Sequence, residues 1–215
     1  MIKLTDLFNL NNMKYSDKVK PKHQKKIDMV TELIADDITI QIQPFPENSS
    51  KETKSELQWL LDYNDGKINQ KEIESGDNVL ETFEKYCDDN KLKFNKTYYK
   101  QILKESVKTI LSLKYYYNRP RPYQLGEFYG IKDFKIHNLD SAKTPSYPSG
   151  HTTQGCLVAE LLGREYPNHY DNFKELATFV SNSRLMARAH YPSDISFGME
   201  VAQHLLGKVI QKKND

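Results

Sequence analysis

Three short groups of residues in the C-terminal half of the chain could together hold a tetrahedral oxyanion and attack its central atom. In chain order they are Lys114 with Arg121-Pro122, then Pro148-Ser149-Gly150-His151, then Ser183-Arg184 with His190 and Asp194. They supply three cations, two histidines and a carboxylate. Cations and backbone N–H groups stabilise phosphate-like anions, and a histidine oriented by a carboxylate can act as a nucleophile.

The segment from Pro148 to His151 has the composition of a helix start. A serine at the N-cap leaves the first backbone N–H groups of the helix available, and these bind anions. Gly150 would let a ligand approach the backbone closely, and His151 would lie in the first turn. Taken alone, the segment is more typical of an ordinary helix cap followed by a surface histidine.

Lys114 and Arg121 lie at the end of a long helical pattern and just beyond it. Pro120 and Pro122 restrict the backbone there and so limit where Arg121 can point, and Arg119 is a third cation nearby. A guanidinium matches phosphate oxygens bidentately, whereas lysine acts as a compact point charge. A basic helix end that favours the helix dipole is the alternative interpretation.

The spacing of His190 and Asp194 is the most specific of the three patterns. Asp194 could accept a hydrogen bond from one ring nitrogen of His190, which would leave the other nitrogen as the nucleophile. This is the orienting logic of a catalytic triad, with a histidine in the attacking position. A purely structural histidine–aspartate hydrogen bond is the alternative.

Together the groups form the motifs Lys-x6-Arg-Pro, Pro-Ser-Gly-His and Ser-Arg-x5-His-x3-Asp, in order, within residues 114–194. The chain therefore resembles the superfamily of type 2 phosphatidic acid phosphatases, bacterial class A acid phosphatases and vanadium haloperoxidases. The resemblance implies that Lys114, Arg121 and Arg184 bind phosphate oxygens. It also implies that Ser149 and the backbone N–H of Gly150 add hydrogen bonds to them.

The resemblance further implies that His190 attacks phosphorus and becomes a phosphohistidine, with Asp194 as its orienting group. His151 would protonate the leaving alkoxide and then activate the water that hydrolyses the intermediate. The expected protein is a soluble, metal-independent phosphatase acting on phosphomonoesters, with a small phosphate ester as partner and no cofactor. Vanadate would be an inhibitor of such an enzyme.

Three alternatives stay open at this stage. A vanadium-dependent haloperoxidase would hold vanadate as a cofactor on His190, in the same pocket. A phosphatase acting on diphosphates or lipid phosphates would use the same residues on another substrate. A protein that only binds phosphorylated ligands would have no need of a nucleophile and an acid.

Composition narrows the class of protein. A length of 215 residues fits a single domain, and a net charge of +2 disfavours a dedicated nucleic-acid binder. No segment approaches the ~20 apolar residues of a membrane span, and residues 1–10 lack the apolar stretch of a signal peptide. We therefore expect a cytoplasmic protein with Cys87 and Cys156 reduced. The sequence says nothing about oligomeric state.

The elements that must position these residues follow from apolar spacing at three and four positions. This pattern predicts helices over Lys22–Ile38, Glu56–Tyr63, Gln70–Asn90, Lys96–Tyr117, Ser149–Tyr166, Asn172–Ala189 and Asp194–Lys212. Residues 1–18 and 43–54 are expected to be irregular, and 126–147 to be a long connection typical of an active-site lid. Strand signals are nearly absent.

We therefore expect an all-α protein, a bundle of six or seven helices of the acid phosphatase/vanadium haloperoxidase type. The division expected is a single domain over 1–215, with an accessory segment at 1–50 and a helical core at 96–212 that carries every motif. Residues 123–147 and the N-terminal half are the expected determinants of substrate choice.

Overall fold

Ten α-helices form the regular structure of the residues that the computed structural model describes, which are 4–36, 39–63, 67–131, 134 and 139–210. They are α1 (Leu4–Asn11), α2 (Pro21–Ile27), α3 (Lys51–Asp62), α4 (Gln70–Asp77), α5 (Val79–Asp89), α6 (Lys96–Tyr117), α7 (Pro122–Phe128), α8 (Gly150–Glu165), α9 (Tyr170–Met186) and α10 (Pro192–Leu206). Within these ranges the β structure is a single bridge between Ile34 and Val209. The expected all-α class is confirmed, with more helices than the six or seven predicted.

Helix α8 lies at the centre of the fold and packs against α6, α9 and α10. Fully buried side chains fill the spaces between these helices, among them Leu157, Val158, Leu162, Phe173, Val180 and Val201. Burying each large apolar side chain contributes roughly 1.5–3 kcal/mol. None of the helices in the described ranges is long and apolar enough to cross a lipid bilayer.

Helix α6 has the predicted bounds, and its two ends show why. The Asn95 side chain accepts a hydrogen bond from the backbone N–H of Tyr98 and so caps the start. Asn118 ends the helix in the left-handed conformation, with φ of 50°, and its N–H bonds to the carbonyl of Lys114. Lys114 therefore lies in the last turn, with Arg121 a short distance beyond the helix end.

The helix predicted over 70–90 is divided at Asn78, which ends α4 and caps α5. The division leaves Asp77 at the C-terminal end of α4, next to α9. Gly76 permits this close approach, because an added Cβ would lie 2.1 Å from the Ser183 side-chain oxygen. The apolar spacing is continuous across the break, which is why sequence alone did not locate it.

The prediction of one helix over 22–38 was wrong. Helix α2 ends at Ile27, because the N–H groups of Leu33 and Ile34 instead donate to the buried Glu105 carboxylate at 2.8 and 2.9 Å. Ile38 lies outside the described residues. The bond is between residues more than seventy positions apart, so local periodicity could not reveal it.

Residues 4–11 were also predicted wrongly, because they form α1 where an irregular segment was expected. Leu10 is fully buried in a cluster with residues of α3 and α7. The Asn48 amide donates to the carbonyls of Leu10 and Met13 at 2.9 and 3.0 Å. These long-range contacts hold a segment whose own sequence is a weak helix former.

The remaining differences are at helix ends. Helix α3 begins at Lys51, inside the expected loop, because Ser50 caps it. Helix α9 ends at Met186, before the predicted Ala189. Helix α10 runs from 192 to 206, where a helix over 194–212 was predicted. Residues 211 and 212 lie outside the described residues. The connection over 126–147 contains the end of α7 and a 3-10 turn at Asp140–Ala142, and its residues 132, 133 and 135–138 lie outside the described part.

The contact between α10 and the start of α8 should be intolerant of added volume. A Cβ on Gly198 would lie 2.9 Å from the backbone oxygen of Ser149, which cannot move without disturbing the start of α8. We predict that Gly198→Ala lowers the free energy of unfolding in urea by about 1–3 kcal/mol. In Gly207→Ala, whose Cβ would lie 3.5 Å from the nearest carbonyl, the free energy should stay the same or rise by up to about 1 kcal/mol. Equal effects would contradict the prediction.

Candidate active site

The start of α8 presents backbone N–H groups beside a buried lysine. Ser149 is the N-cap, as predicted, and its hydroxyl oxygen accepts from the N–H of Thr152 at 3.4 Å. The N–H of Ser149 itself donates to the carbonyl of Asp194 at 2.9 Å, which ties α8 to α10. A Cβ on Gly150 would lie 3.8 Å from Cε of Lys114, so the first turn of α8 adjoins that side chain.

Lys114 and Arg121 are buried, with 4% and 1% of their surface exposed. The Lys114 ammonium donates to the carbonyls of Pro145 and Ser146 at 2.7 and 3.1 Å. Arg121 donates from Nε to the carbonyl of Thr144 at 2.8 Å and from Nη1 to that of Ala189 at 2.6 Å. Backbone carbonyls therefore fix the directions of both cations.

The environment of these cations favours a bound anion. Burial lowers the pKa of Lys114 well below its usual range, and the charge of Arg121 lowers it further. Burial also lowers the pKa of Arg121, to about 10, so the guanidinium remains charged at neutral pH. A negative charge in the same space would stabilise both cations.

Arg184 is the third predicted cation, and α4 positions it. Its Nη2 donates to the carbonyl of Ile73 at 2.6 Å, and its Nη1 donates to Oδ1 of Asp77 at 2.5 Å. Its Nε donates to the hydroxyl of Ser183 in the same helix at 3.1 Å. Asp77 also lies 3.1 Å from Nε2 of His151, so the second predicted histidine belongs to this part of the site.

The contacts of His190 define which ring nitrogen can attack. Its Nδ1 lies 3.0 Å from Oδ2 of Asp194, and its Nε2 lies 3.0 Å from Nη1 of Arg121. A guanidinium can only donate, so Nε2 must be the acceptor and Nδ1 must carry the proton. Burial lowers the pKa of His190 well below its usual value, and the charge of Arg121 adds to this, although the bond to Asp194 opposes it.

Asp194 is a fully buried carboxylate with four donors. It accepts from Nδ1 of His190 and, at 2.6 Å, from Nη1 of Arg119. It also accepts from the backbone N–H of Tyr191 at 3.0 Å and from the hydroxyl of Ser146. Burial alone would raise the pKa of Asp194, but the charge of Arg119 and the bond from His190 hold it below its usual value. The carboxylate therefore stays ionised and can orient the histidine.

Arg119 is a buried residue of this cluster to which the sequence assigned no role. Its buried guanidinium lies 3.8 Å from the centre of the Tyr191 ring and donates to Glu56 of α3 at 3.0 Å as well as to Asp194. Glu56 in turn accepts from the N–H of Ser193 at 2.6 Å. A chain of charged groups thus runs from Glu56 through Arg119 and Asp194 to His190. Proximity to Arg121 was the one sequence signal for Arg119, and none pointed to Glu56.

The structure brings together the eight residues predicted for the site. They lie at the start of α8 or around it, and they are Lys114, Arg121, Ser149, Gly150, His151, Arg184, His190 and Asp194. Asp77, Arg119 and Glu56 join them from parts of the chain where no motif was recognised. The arrangement can hold a tetrahedral anion between cations, with a neutral histidine at one side and a second histidine nearby.

Removing Arg119 should leave the Asp194 charge buried without its strongest partner. We predict that Arg119→Met lowers the free energy of unfolding at pH 7 by about 3–5 kcal/mol, measured in urea. The exposed Arg164→Met is the matched control and should change it by no more than about 0.5 kcal/mol.

The pH dependence follows from the sign of the Asp194 shift. The depressed pKa of Asp194 contributes stability that is complete above the unfolded-state pKa of about 3.9 and is lost as the pH falls toward the folded-state pKa. The protonation of Asp194 in the unfolded state is the same in both proteins, so the gap between wild type and Arg119→Met should narrow once the pH falls below the folded-state pKa of Asp194 in the variant, which burial without Arg119 raises. A gap that is small at pH 7, or that widens in acid, would contradict this role of Arg119.

Comparison with known proteins identifies relatives of this chain. The chain is 31% identical to a non-specific acid phosphatase of Salmonella typhimurium over 117 residues, which are 48% of this chain and 46% of that protein. It is 33% identical to a non-specific acid phosphatase of Providencia stuartii over 92 residues, covering 42% and 36%, and 40% identical to an acid phosphatase of Zymomonas mobilis over 60 residues, covering 28% and 23%. The chain thus spans less than half the length of these curated relatives.

The sequence model of the PAP2 superfamily matches residues 101–212, just over half of the chain, and the protein belongs to that superfamily.

Proposed function

We propose that this protein is a phosphatase that hydrolyses phosphomonoesters through a phosphohistidine on His190, without a metal ion. The observation that carries the proposal is the state of His190. Its Nδ1 is held by Asp194, and its unprotonated Nε2 accepts a hydrogen bond from Arg121, one of the cations predicted to bind phosphate. The names of the acid phosphatase relatives support the same class of reaction.

In the first step, the phosphate oxygens of the ester lie against the three cations and the N–H groups at the start of α8. Nε2 of His190 attacks phosphorus, so a P–N bond forms as the P–O bond to the leaving group breaks. The electron pair goes to the leaving oxygen, which receives a proton from His151. Asp194 balances the positive charge that develops on the imidazole.

In the second step, water attacks phosphorus from the side that the alcohol has left. His151 is now neutral and accepts the proton of this water. The P–N bond breaks, inorganic phosphate is released, and His190 returns to its neutral form with Nδ1–H still bonded to Asp194. One histidine thus acts as acid and then as base, because hydrolysis of the intermediate reverses the proton transfer of its formation.

The cations support a metal-independent reaction. Lys114, Arg121 and Arg184 are each at least nine-tenths buried, so their attraction for equatorial phosphate oxygens is weakly screened. Two arginines and a lysine would also repel a divalent cation from the same space. The charge on the transferring phosphoryl group can therefore be stabilised by side chains and backbone donors alone.

The first test is hydrolysis of p-nitrophenyl phosphate. We expect turnover that persists in EDTA, is inhibited by vanadate, and falls by at least about 1,000-fold in His190→Ala. His204→Ala, an exposed histidine in α10, is the matched control and should retain activity. Rapid quenching in alkali followed by mass spectrometry should place the phosphoryl group on His190 of the wild type.

Other outcomes would separate the alternatives. Loss of activity in EDTA would contradict metal independence. Halide oxidation that requires added vanadate, without ester hydrolysis, would identify a haloperoxidase. Retained phosphate binding with no turnover would identify a binding protein and overturn the proposed reaction.

The two histidine environments also predict an acidic pH optimum. His190 must be neutral to attack, and burial with the Arg121 charge lowers its pKa well below 6.5, so the acidic limb of the profile lies below pH 6.5. His151 must be protonated to act as acid. Burial lowers its pKa below 6.5 despite its bond to Asp77, so activity is lost as the pH rises through the pKa of His151. Since kcat/KM reports the free enzyme, its optimum should lie below pH 6.5.

The measurement is a profile of kcat/KM against pH with the ionisation of the substrate, near a pKa of about 6, determined separately and corrected for. His151→Gln should remove the fall on the alkaline side while lowering the overall rate. A corrected profile that is flat from pH 4 to 9, or that rises through pH 7, would contradict the roles of the two histidines.

A further inference from the structure

Asp77, the last residue of α4, touches two groups of the site at once. Its Oδ1 lies 2.5 Å from Nη1 of Arg184 and 3.1 Å from Nε2 of His151. Its backbone carbonyl oxygen lies 3.1 Å from the same Nε2. The hydroxyl of Ser141 donates to Oδ1 at 2.8 Å. The superfamily motifs do not include this residue.

The contacts with Asp77 determine which nitrogen of His151 carries the permanent proton. Carboxylate and carbonyl oxygens both accept, so Nε2 must be the donor. The proton that His151 gives up and takes back must therefore be the one on Nδ1. If Nε2 faced the leaving group instead, the same N–H would have to serve both the substrate and Asp77.

We propose that Asp77 is a positioning residue for the proton-transfer chemistry of His151, holding Nε2–H so that Nδ1 exchanges the proton and stabilising the imidazolium form. This inference rests on the proposed phosphatase function. It gives each histidine of the site its own carboxylate, Asp194 for the nucleophile and Asp77 for the acid. Asp77 keeps the same ionisation throughout the cycle, because the transferred proton passes only between Nδ1, the leaving oxygen and water.

The charges around His151 show why such a partner is needed. Asp77 faces it from α4 and Arg184 from α9, while Lys114 of α6 adjoins the preceding residue, Gly150. Burial lowers the pKa of His151, and Arg184 adds to this, whereas the hydrogen bond and charge of Asp77 act in the opposite direction. Without Asp77, this partly buried imidazole beside an arginine would lose its acidic proton at a still lower pH.

Asp77 itself is held in the ionised state. Burial would raise its pKa, but the bonds from His151 and Ser141 and the charge of Arg184 hold the pKa below the usual range. Its place is fixed by the packing of α4 on α9, where Gly76 leaves no room for a Cβ against Ser183. The carbonyl of Ile73, one turn earlier in α4, receives Nη2 of Arg184 at 2.6 Å and reinforces the same contact.

A direct test is the titration of His151 by NMR in the protein without substrate, with its imidazole signal assigned by comparison with His151→Gln. We expect the pKa of His151 to fall by about one unit or more in Asp77→Asn. Asp77→Ser is a second neutral variant of smaller volume and should behave alike. Asp171→Asn, at an exposed ion pair with Lys174, is the control and should leave the pKa unchanged. An unchanged or raised pKa of His151 in both Asp77 variants would overturn the inference.

The kinetic test uses the leaving group. An alkoxide needs protonation more than p-nitrophenolate does, so Asp77→Asn should reduce kcat/KM for glycerol 2-phosphate about 10-fold or more beyond its effect on p-nitrophenyl phosphate. Its alkaline limb should also move to lower pH. Equal losses on both esters, with an unshifted limb, would mean that Asp77 acts through Arg184 alone and would overturn the inference. If the wild type hydrolyses neither ester, the proposed function fails, while the NMR titration still decides the role of Asp77.

Discussion

The buried carboxylate of Asp194 is the interaction on which the rest of the site depends. An ionised group removed from water is tolerated only when donors replace its hydration. Here the donors come from separate parts of the chain: His190, Arg119, Ser146 and the backbone of Tyr191. Satisfying this one carboxylate therefore requires the end of α6, the segment before α8 and the start of α10 to meet. The orientation of the His190 ring follows from that requirement.

The same region concentrates positive charge, which is a cost to folding and a benefit to anion binding. Lys114, Arg121 and Arg184 are all buried, and burial lowers the pKa of each. Backbone carbonyls of residues 144–146 partly satisfy the first two, and Asp77 partly satisfies the third. Such donors are already oriented before an anion arrives, so little reorganisation is needed when it binds. Stability given up in this way is typical of a functional site.

Sequence reasoning recovered the residues whose positions depend on local structure. Ser149 caps α8 as predicted, and α6 delivers Lys114 to its last turn because its caps are encoded within a few residues. Asp77 and Glu56 were not predicted, because each reaches the site through contacts with residues more than sixty positions away. The failure over residues 22–38 has the same cause, since a distant carboxylate satisfies the backbone that a helix would have paired. Local periodicity cannot register such tertiary competition.

Two histidines with carboxylate partners can take the proposed roles of nucleophile and acid because their surroundings differ. His190 lies beside Arg121, with the charge of Lys114 also acting on it, so its neutral form is strongly favoured, as the proposed nucleophile requires. His151 lies beside one arginine, and Asp77 opposes the loss of its proton, so it can hold that proton at a higher pH. Pairs of like groups whose environments separate their pKa values are how enzymes assign opposite roles to the same side chain. The proposed division of roles is therefore not a property of the histidines themselves. It is set by the cations that the packing of α4, α6 and α9 places next to each ring.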